Sequence, residues 1–319
     1  MKKKILALLP ESIGGRLTIA SLFKGFEQCG FELKIIDVLK DAEDVIISLN
    51  MNDYEFLVSY DFVGVKFKTD FGLEIKTINY FSDVIESDCS GKYWQKYYEK
   101  LKDRDNLVFY WDKMLTKKAK NMANIHYLPH AVDIKTYKNL HMKSEYDVMF
   151  AGRLTYGIRT ERFLNLIKAL PNVKFALYCF PNHLDAVCEK LSASDSEILQ
   201  SIYKGFIDTE EKMSVAINKS KIVINYTSQG VGSLNYRLFQ VLACEKLLLT
   251  DYRSELNELF KIGYDIIYYE NDFHLAEKIN DYLQNPEQYE EIIQIGRKTI
   301  EEKFSSEVAV KQILKISQN

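Results

Sequence analysis

The sequence is poor in the features that mark several large classes of protein. Only 5 of its 319 residues are proline, which argues against long disordered linkers. It contains five scattered cysteines (Cys29, Cys89, Cys179, Cys188, Cys244), with no CxxC pair and no zinc-type spacing. An odd, scattered set of thiols fits a reducing compartment, so we expect a cytoplasmic protein.

Charge and hydropathy exclude two further classes. The formal net charge of −3 gives no general attraction to nucleic acid. No segment approaches the length of a membrane span. The N-terminal lysines and apolar run imitate a signal peptide, but the run is too short and Glu11 follows it without a cleavage site. We expect neither a nucleic-acid partner nor a transmembrane segment; the oligomeric state stays open.

The sequence does contain enough apolar residues to form the cores of two α/β domains. Hydrophobic residues make up 47% of the 319, and this length favours two domains over one. The chain opens with a strand at Ile5–Leu9, a turn at Gly14-Gly15-Arg16, a helix at Leu17–Cys29 and a strand at Phe31–Val38. This βαβ order predicts a Rossmann-like half, although it lacks the GxGxxG of dinucleotide sites.

Strands and helices alternate along both halves. In the first half the remaining strands are predicted at 54–60, 76–81, 106–110 and 125–128, with a hairpin or irregular excursion at 61–73. In the second half they are predicted at 146–151, 173–180, 203–207, 221–226, 246–250 and 265–269. Strict alternation with helices predicts a parallel, doubly wound sheet.

Two loops of the second half have the composition of a phosphate site. After the apolar run Lys221–Asn225, a glycine-containing loop leads into a helix that carries Arg237. After Tyr146–Ala151, Gly152 and Arg153 lead through Gly157 to Arg159 and Arg162. Helix N-termini and arginine forks both suit phosphate, and ligands of such sheets bind at the strands' carboxyl ends. Ordinary packing helices with surface arginines remain the alternative.

Several stretches of the second half, taken in order, resemble GT-B glycosyltransferases, specifically the CgeB-like (glycosyl transferases group 1-like) set. The matching pieces are DVMFAGRLTYGIR at 147–159, YKGFIDTEEKMSVAINKSKIVINYTS at 203–228, SLNYRLFQVLACEKLLLTDY at 233–252, ELNELFKIGYDIIYYEN at 255–271 and LAEKINDYLQNPEQYEEIIQIGRKTI at 275–300. The first half matches weakly, with YLPHAVD at 127–133 as its best piece.

The resemblance implies an α/β protein with two Rossmann-like domains whose parallel sheets face a central cleft. Residues 1–140 would form the acceptor domain, 141–304 the nucleotide-sugar domain, and 305–319 a helix that crosses back to the first domain. The implied activity is metal-independent transfer of a sugar, hexosyltransferase-like, from a UDP- or GDP-linked donor. The acceptor would be a carbohydrate, a protein or a lipid-linked molecule of the cell envelope.

The resemblance also selects candidate site residues. For the donor nucleotide and its phosphates they are Gly152, Arg153, Arg159, Tyr226, Ser228, Asn235, Arg237 and Gln240. On the acceptor side they are Gly14, Gly15, Arg16 and His130, and no metal ligand or other cofactor is implied. Asp83 ends the predicted strand Lys76–Phe81 and is our candidate catalytic residue; alternatively it caps the next helix.

Two positions depart from the family pattern. Gln240 replaces an acidic residue that accepts hydrogen bonds from ribose hydroxyls, and an amide has one acceptor oxygen and no charge. Glu245 replaces a glycine after Ala243-Cys244. Gln240 therefore leaves a second hypothesis open, in which the protein binds nucleotide or glycan but has lost turnover. An epimerase of the same architecture is less well supported.

Overall fold

The structure is a computed structural model that describes residues 3–41, 45, 48–82, 97, 99–118, 124–227 and 232–318. The chain divides into two compact units, which we describe separately. Unit 1 contains Met1–Asp133, Ser228–Tyr236 and Glu302–Asn319, and unit 2 contains Ile134–Thr227 and Arg237–Glu301. The domain bounds expected from the sequence, 1–140, 141–304 and 305–319, stay a prediction.

Unit 1 is built on a parallel sheet. Its strands are β1 (Lys4–Leu9), β2 (Glu32–Asp37), β3 (Phe56–Tyr60), β4 (Thr77–Phe81), β5 (Asn106–Tyr110) and β6 (Ile125–Tyr127). They lie in the order β2-β1-β3-β4-β5-β6, and every described pairing is parallel. The chain reverses its direction across the sheet between β1 and β3, so their carboxyl ends form a topological switch point.

The described helices of unit 1 flank this sheet. They are Ile13–Gln28, Val63–Asp70, Lys113–Lys118 and Ser306–Ser317, with a 3-10 turn at Met51–Asp53. The last helix packs against Ile13–Gln28, where a side chain on Gly25 would meet the backbone oxygen of Ser306 at 2.5 Å. Gly25 thus allows the two helices to approach closely. Val132 and Ser305 form a parallel bridge beside this contact.

One prediction for unit 1 was wrong. Residues 61–73 are not a hairpin, because Val63–Asp70 is a helix. The alternation of Val63, Val65 and Phe67 imitates a strand over a few residues. Phe67 and Phe71 are spaced i, i+4, however, and their ring centroids lie 4.9 Å apart on one helical face. Packing of this short apolar face within unit 1 stabilises the helical conformation over a strand.

Unit 2 is built on a second parallel sheet. Its strands are β7 (Tyr146–Ala151), β8 (Phe175–Tyr178), β9 (Ser220–Asn225), β10 (Leu247–Asp251) and β11 (Ile267–Tyr269). The order is β11-β10-β9-β7-β8, which places the switch point between β7 and β9. The helices are Ile158–Ala169, Pro181–Cys188, Ala193–Ile202, Glu210–Asn218, Tyr236–Ala243, Leu256–Leu259, Asp272–Gln284 and Glu290–Lys303, with a 3-10 turn at Pro286–Tyr289.

The predicted strand at 203–207 was also wrong. Tyr203 makes a single parallel bridge to Leu177, and Gly205 then takes a φ of 104°, which ends the extended run. The helix Ala193–Ile202 precedes it and had not been predicted. Ser192 caps this helix by accepting a hydrogen bond from the N–H of Asp195 at 3.2 Å, a signal that Ser-x-x-Asp in the sequence carries.

The fold class predicted from the sequence is confirmed. Both units are α/β, and their described strands form parallel sheets of six and five strands. Each sheet has the doubly wound order in which ligands bind at the switch point. Within the part of the chain that the structure describes, no helix is long and apolar enough to cross a membrane.

Candidate donor site at the edge of the second sheet

The carboxyl ends of β7 and β9 bring four of the predicted donor residues together. Gly152 and Arg153 follow β7, and Tyr226 follows β9 directly. Arg159 lies at the start of the helix Ile158–Ala169, which begins where Gly157 adopts a φ of 122°. That backbone conformation favours glycine, so Gly157 sets the direction of the helix toward the switch point.

Arg159 connects the two loops of this switch point. Its Nη1 donates to the carbonyl oxygen of Arg153 at 2.8 Å, and its Nη2 donates to that of Tyr226 at 2.9 Å. Burial lowers the pKa of the Arg159 guanidinium, and the nearby Asp251 opposes this shift. Arg159 is therefore a partly desolvated cation, and electrostatic attraction for an anion is stronger in such surroundings than in water.

Arg162, one turn further along the helix, is held in place rather than exposed. Its guanidinium carbon lies 4.9 Å from the ring centroid of Tyr226 and 5.9 Å from that of Tyr269. Its Nε donates to Asp272 at 2.7 Å. The Tyr226 hydroxyl is buried without a hydrogen-bond partner. Tyr226 therefore contributes its ring and its backbone carbonyl to this edge.

Two residues at the end of β10 belong to the same edge, and sequence reasoning missed them. Asp251 accepts hydrogen bonds from the N–H and the hydroxyl of Thr227 at 3.0 and 2.9 Å. Arg253 donates from Nη2 to the carbonyl of Thr227 at 2.6 Å. Its Nε lies 3.6 Å from Asp251. The sequence did contain a signal for Asp251, because it is an aspartate at the end of an apolar strand, the same pattern that selected Asp83.

Arg237 and Gln240 form a connected pair on the helix Tyr236–Ala243. Nη1 of Arg237 donates to Oε1 of Gln240 at 2.5 Å, and Nε2 of Gln240 donates to the hydroxyl of Tyr137 at 2.6 Å. Gln240 is only 3% exposed. The amide thus lies in the interior and fixes the orientation of the Arg237 guanidinium.

Gly152, at the end of β7, has room for a side chain, since an added Cβ would meet only the Phe150 ring, at 3.6 Å. Two other donor candidates lie elsewhere or are not described. Asn235 belongs to unit 1, between Ser233 and Tyr236. Ser233 donates to the buried carboxylate of Asp112 at 2.9 Å, and the hydroxyls of Tyr236 and Ser21 lie 2.6 Å apart. Ser228 lies outside the described residues.

The predicted acceptor residues Gly14, Gly15 and Arg16 lie after β1, at the switch point of the first sheet. A side chain on Gly15 would meet the Tyr60 ring at 2.8 Å, whereas Gly14 has open space beside it. Arg16 forms a two-pronged ion pair with Asp37 and donates from Nε to the carbonyl of Pro10 at 2.7 Å. The hydrogen bonds from Arg16 lower the pKa of Asp37 to about 2.

His130 lies in an aromatic cluster inside unit 1. Its Nδ1 is 2.9 Å from the hydroxyl of Tyr80, and its ring centroid is 5.1 Å from that of Trp111 and 5.5 Å from that of Tyr236. Burial lowers the pKa of His130 to about 3, so the imidazole is neutral at physiological pH. It supports the aromatic residues around it and is a weak base.

The predicted catalytic residue, Asp83, lies outside the described residues. The structure does describe the residues that precede it. Ser82 follows β4, its hydroxyl pairs with that of Tyr60, and its N–H donates to Asp61 at 3.2 Å. Among the described residues, no three His, Cys, Asp or Glu side chains form a group that could hold a metal ion.

Comparison with known proteins agrees with this fold. The profile of a family described as glycosyl transferase-like matches residues 159–315, a span that begins at Arg159 and includes Arg237 and Gln240. No curated protein sequence gave a match. The CgeB-like set within the glycosyltransferases stays a prediction.

Solved glycosyltransferase structures superpose on nearly the whole chain. An α-glucosyltransferase in complex with UDP and a 13-mer DNA containing an HMU base has a TM-score of 0.74 and 12% identity over 100% of both chains. Alr3699/HepE of Anabaena, in complex with UDP and glucose, has a TM-score of 0.70 and 12% identity over 99% of both. A glycosyltransferase from Rickettsia africae has a TM-score of 0.64 and 16% identity over 99% of this chain and 97% of its own. The fold is that of the GT-B glycosyltransferases.

Proposed function

We propose that this protein is a metal-independent glycosyltransferase that moves a sugar from a nucleotide-sugar donor to an acceptor. The observation that supports it most is the edge formed by β7, β9 and β10. There Arg159 joins the loops after β7 and β9, and Asp251 and Arg253 tie the end of β10 to Thr227 of the loop after β9. The family profile covers this edge from Arg159 onward. Proteins of the same fold have been solved with UDP and with UDP-glucose, which supports a UDP-linked hexose as donor.

In this proposal the donor diphosphate binds at the switch point of unit 2. Gly152 leaves space for a phosphate beside the end of β7, and Arg153 and Arg159 supply positive charge. Arg237, oriented by Gln240, supplies a further cation, and Tyr226 contacts the nucleotide with its ring or its carbonyl. Each nitrogen of Arg159 that holds a carbonyl has a second N–H, so the residue can position the loops and still donate to the ligand.

The reaction breaks the bond between the sugar's anomeric carbon and the diphosphate oxygen, and the electron pair of that bond leaves with the diphosphate. The acceptor hydroxyl forms the new bond to the same carbon and passes its proton to a general base, the role for which Asp83 is our candidate. The arginines stabilise the charge that develops on the leaving diphosphate, which is the charge a metal ion would otherwise balance. We propose that no metal or other cofactor is needed.

We place the acceptor side at the first sheet, near Gly14, Gly15, Arg16 and His130, with Asp83 as the residue that acts on the acceptor hydroxyl or the sugar. In this scheme Arg16 and His130 act by position, because Arg16 is paired with Asp37 and His130 is buried. The acceptor is a carbohydrate, a protein or a lipid-linked molecule, and the reaction takes place in the cytoplasm.

The alternative of a non-catalytic binding protein depended on Gln240. In the structure Gln240 has a defined role, because it accepts a hydrogen bond from Arg237 and donates one to Tyr137. An amide at this position is therefore compatible with an active enzyme. No further observation favours loss of turnover.

Calorimetric titration with UDP and GDP tests the donor site. We expect binding that Arg237→Ala weakens by about 1.5–3 kcal/mol, the contribution of a hydrogen bond from a charged donor. Arg104→Ala is the matched control, since it removes an exposed arginine of unit 1. Unchanged UDP and GDP affinity in a folded Arg237→Ala protein would refute this placement.

A further inference from the structure

Unit 2 contains a cavity that the proposed reaction does not use. It has a volume of about 420 Å³ and lies beside the edge strand β11, against the helices Asp272–Gln284 and Glu290–Lys303. Strand β10 separates β11 from β9, so the cavity is two strands, roughly 10 Å, from the nearer strand of the switch point. It adjoins the donor edge at β10, but its lining residues include none of those that we place in the donor site.

Aromatic and hydrogen-bonding side chains line this cavity together. Tyr264, Tyr268 and Tyr289 contribute rings, and His274 and Gln288 contribute polar groups. Tyr268 and Tyr289 are half-buried, and Tyr264 is 48% exposed. An apolar surface with a few placed polar groups is typical of small-molecule sites, which have volumes of about 300–1,000 Å³. A protein partner would need roughly 800 Å² of surface on each side, far more than such a cavity offers.

The turn that carries Tyr264 is rigid. Gly263 has a φ of 78°, and its N–H donates to the carbonyl of Ile266 at 2.9 Å. Asp265 is buried beside it; its carboxylate accepts from the N–H of Lys261 at 2.7 Å and from the hydroxyl of Thr299 at 3.1 Å. The turn thus holds an exposed aromatic ring at the cavity without relying on packing of that ring. A ligand that packs on the Tyr264 ring therefore does not have to order the backbone that carries it.

The ring environment indicates a polar rather than a purely apolar ligand. The Nζ of Lys261 lies 4.4 Å from the centroid of the Tyr264 ring, and Tyr268 meets Tyr252 edge-on at 5.4 Å between centroids. Lys278 and Glu291 lie at the same cavity and supply a donor and an acceptor. Pyranose sugars combine an apolar C–H face, which packs on aromatic rings, with hydroxyls that need hydrogen-bond partners.

We infer that this cavity is a second carbohydrate-binding site, which takes one or two sugar rings of a neutral glycan against Tyr264 and Tyr268. The choice of a sugar over other small ligands rests on the proposed function. The existence of the site rests on the cavity and the rigid turn alone. A glycan held there would remain attached to the enzyme by a contact independent of the donor.

Saturation-transfer NMR with maltotriose, cellotriose and chitotriose tests this inference, with saturating UDP present to occupy the donor site. We expect at least one trisaccharide to bind, Tyr264→Ala to weaken its binding at least tenfold, and Tyr264→Trp to retain it. Phe273→Ala is the matched control, since it removes a 73% exposed aromatic ring outside the cavity and should change the affinity less than twofold.

UDP affinity, measured on the same variants, separates the two proposals. Tyr264→Ala should bind UDP like the wild type, so a loss of trisaccharide binding alone supports the second site. Failure of all three trisaccharides to bind wild-type protein, or equal binding by Tyr264→Ala, would overturn it. Neither of those results would bear on the donor site, which UDP binding and turnover report.

Discussion

Arg159 is the residue whose replacement should disturb the candidate donor site most. The substitution Arg159→Met removes the two hydrogen bonds that join the carbonyls of Arg153 and Tyr226. Hydrogen bonds from a charged donor contribute about 1.5–3 kcal/mol each. Removing a half-buried guanidinium also relieves its desolvation, so we expect a net loss of about 2–3 kcal/mol in the free energy of unfolding.

Urea unfolding measures this loss, and calorimetry measures the accompanying change in UDP affinity, which we expect to fall roughly tenfold or more. Arg159→Lys distinguishes positioning from charge alone. A lysine keeps the charge but lacks the planar fork that reaches two carbonyls, so it should behave like Arg159→Met. Arg153→Met is the matched control for stability alone, because the Arg153 side chain is exposed and the carbonyl that accepts from Arg159 is kept; it should change stability by less than about 0.5 kcal/mol, although it removes a charge that we place at the diphosphate.

Wild-type stability and wild-type UDP affinity in Arg159→Lys would contradict this role of Arg159. Such a result would mean that the bridge between the loops contributes nothing and that any nearby cation serves the ligand equally well.

Three further predictions concern other parts of the molecule. Gln240→Met removes the acceptor of Arg237 and should weaken UDP binding by about 0.5–1.5 kcal/mol in calorimetry, whereas Tyr137→Phe, which keeps that acceptor, should weaken it less. His130 has a folded-state pKa of about 3, below the ordinary value of 6.5, so the unfolded chain takes up a proton at a higher pH than the folded protein does. The free energy of unfolding should therefore fall as the pH drops below 6.5. Urea unfolding from pH 7 to pH 4 should show a shallower loss for His130→Gln than for the wild type; equal slopes would contradict the buried neutral imidazole. Asp37 has a folded-state pKa of about 2, below its ordinary 3.8, so its contribution to the free energy of unfolding is present above pH 4 and is lost between pH 4 and pH 2. Asp37→Asn should therefore lower the free energy of unfolding by about 1 kcal/mol at pH 7 and by progressively less in acid; a difference that stays constant from pH 7 to pH 2 would contradict the ion pair with Arg16.

The sequence predicted the two sheets well because their strands are apolar runs separated by helical periodicity. Each of the six strands predicted in the first half is present, and parallel order followed from the alternation. The short segments were harder. A helix of eight residues such as Val63–Asp70 has too few turns for its periodicity to be told from strand alternation. At 203–207 the left-handed conformation of Gly205 decided against a strand.

For the candidate site residues, the sequence indicated the strand ends at which they lie but not the residues with which they form hydrogen bonds. The edge of β7 and β9 was expected from the loop composition, and Arg159 does lie there. That its guanidinium would be held by two backbone carbonyls, or that Gln240 would be buried against Tyr137, depends on contacts between residues distant in sequence. Arg253 was missed for the same reason, since its importance comes from a hydrogen bond to Thr227.

The most direct test of the proposed function is release of nucleoside diphosphate from a panel of UDP- and GDP-linked sugars, measured with and without EDTA. We predict that wild-type protein releases UDP or GDP from at least one donor, that EDTA leaves the rate unchanged, and that Arg159→Met and Arg237→Ala lower it. Absence of release above the uncatalysed rate for every donor, by a folded protein supplied with glycan, peptide and lipid-linked acceptors, would contradict the account.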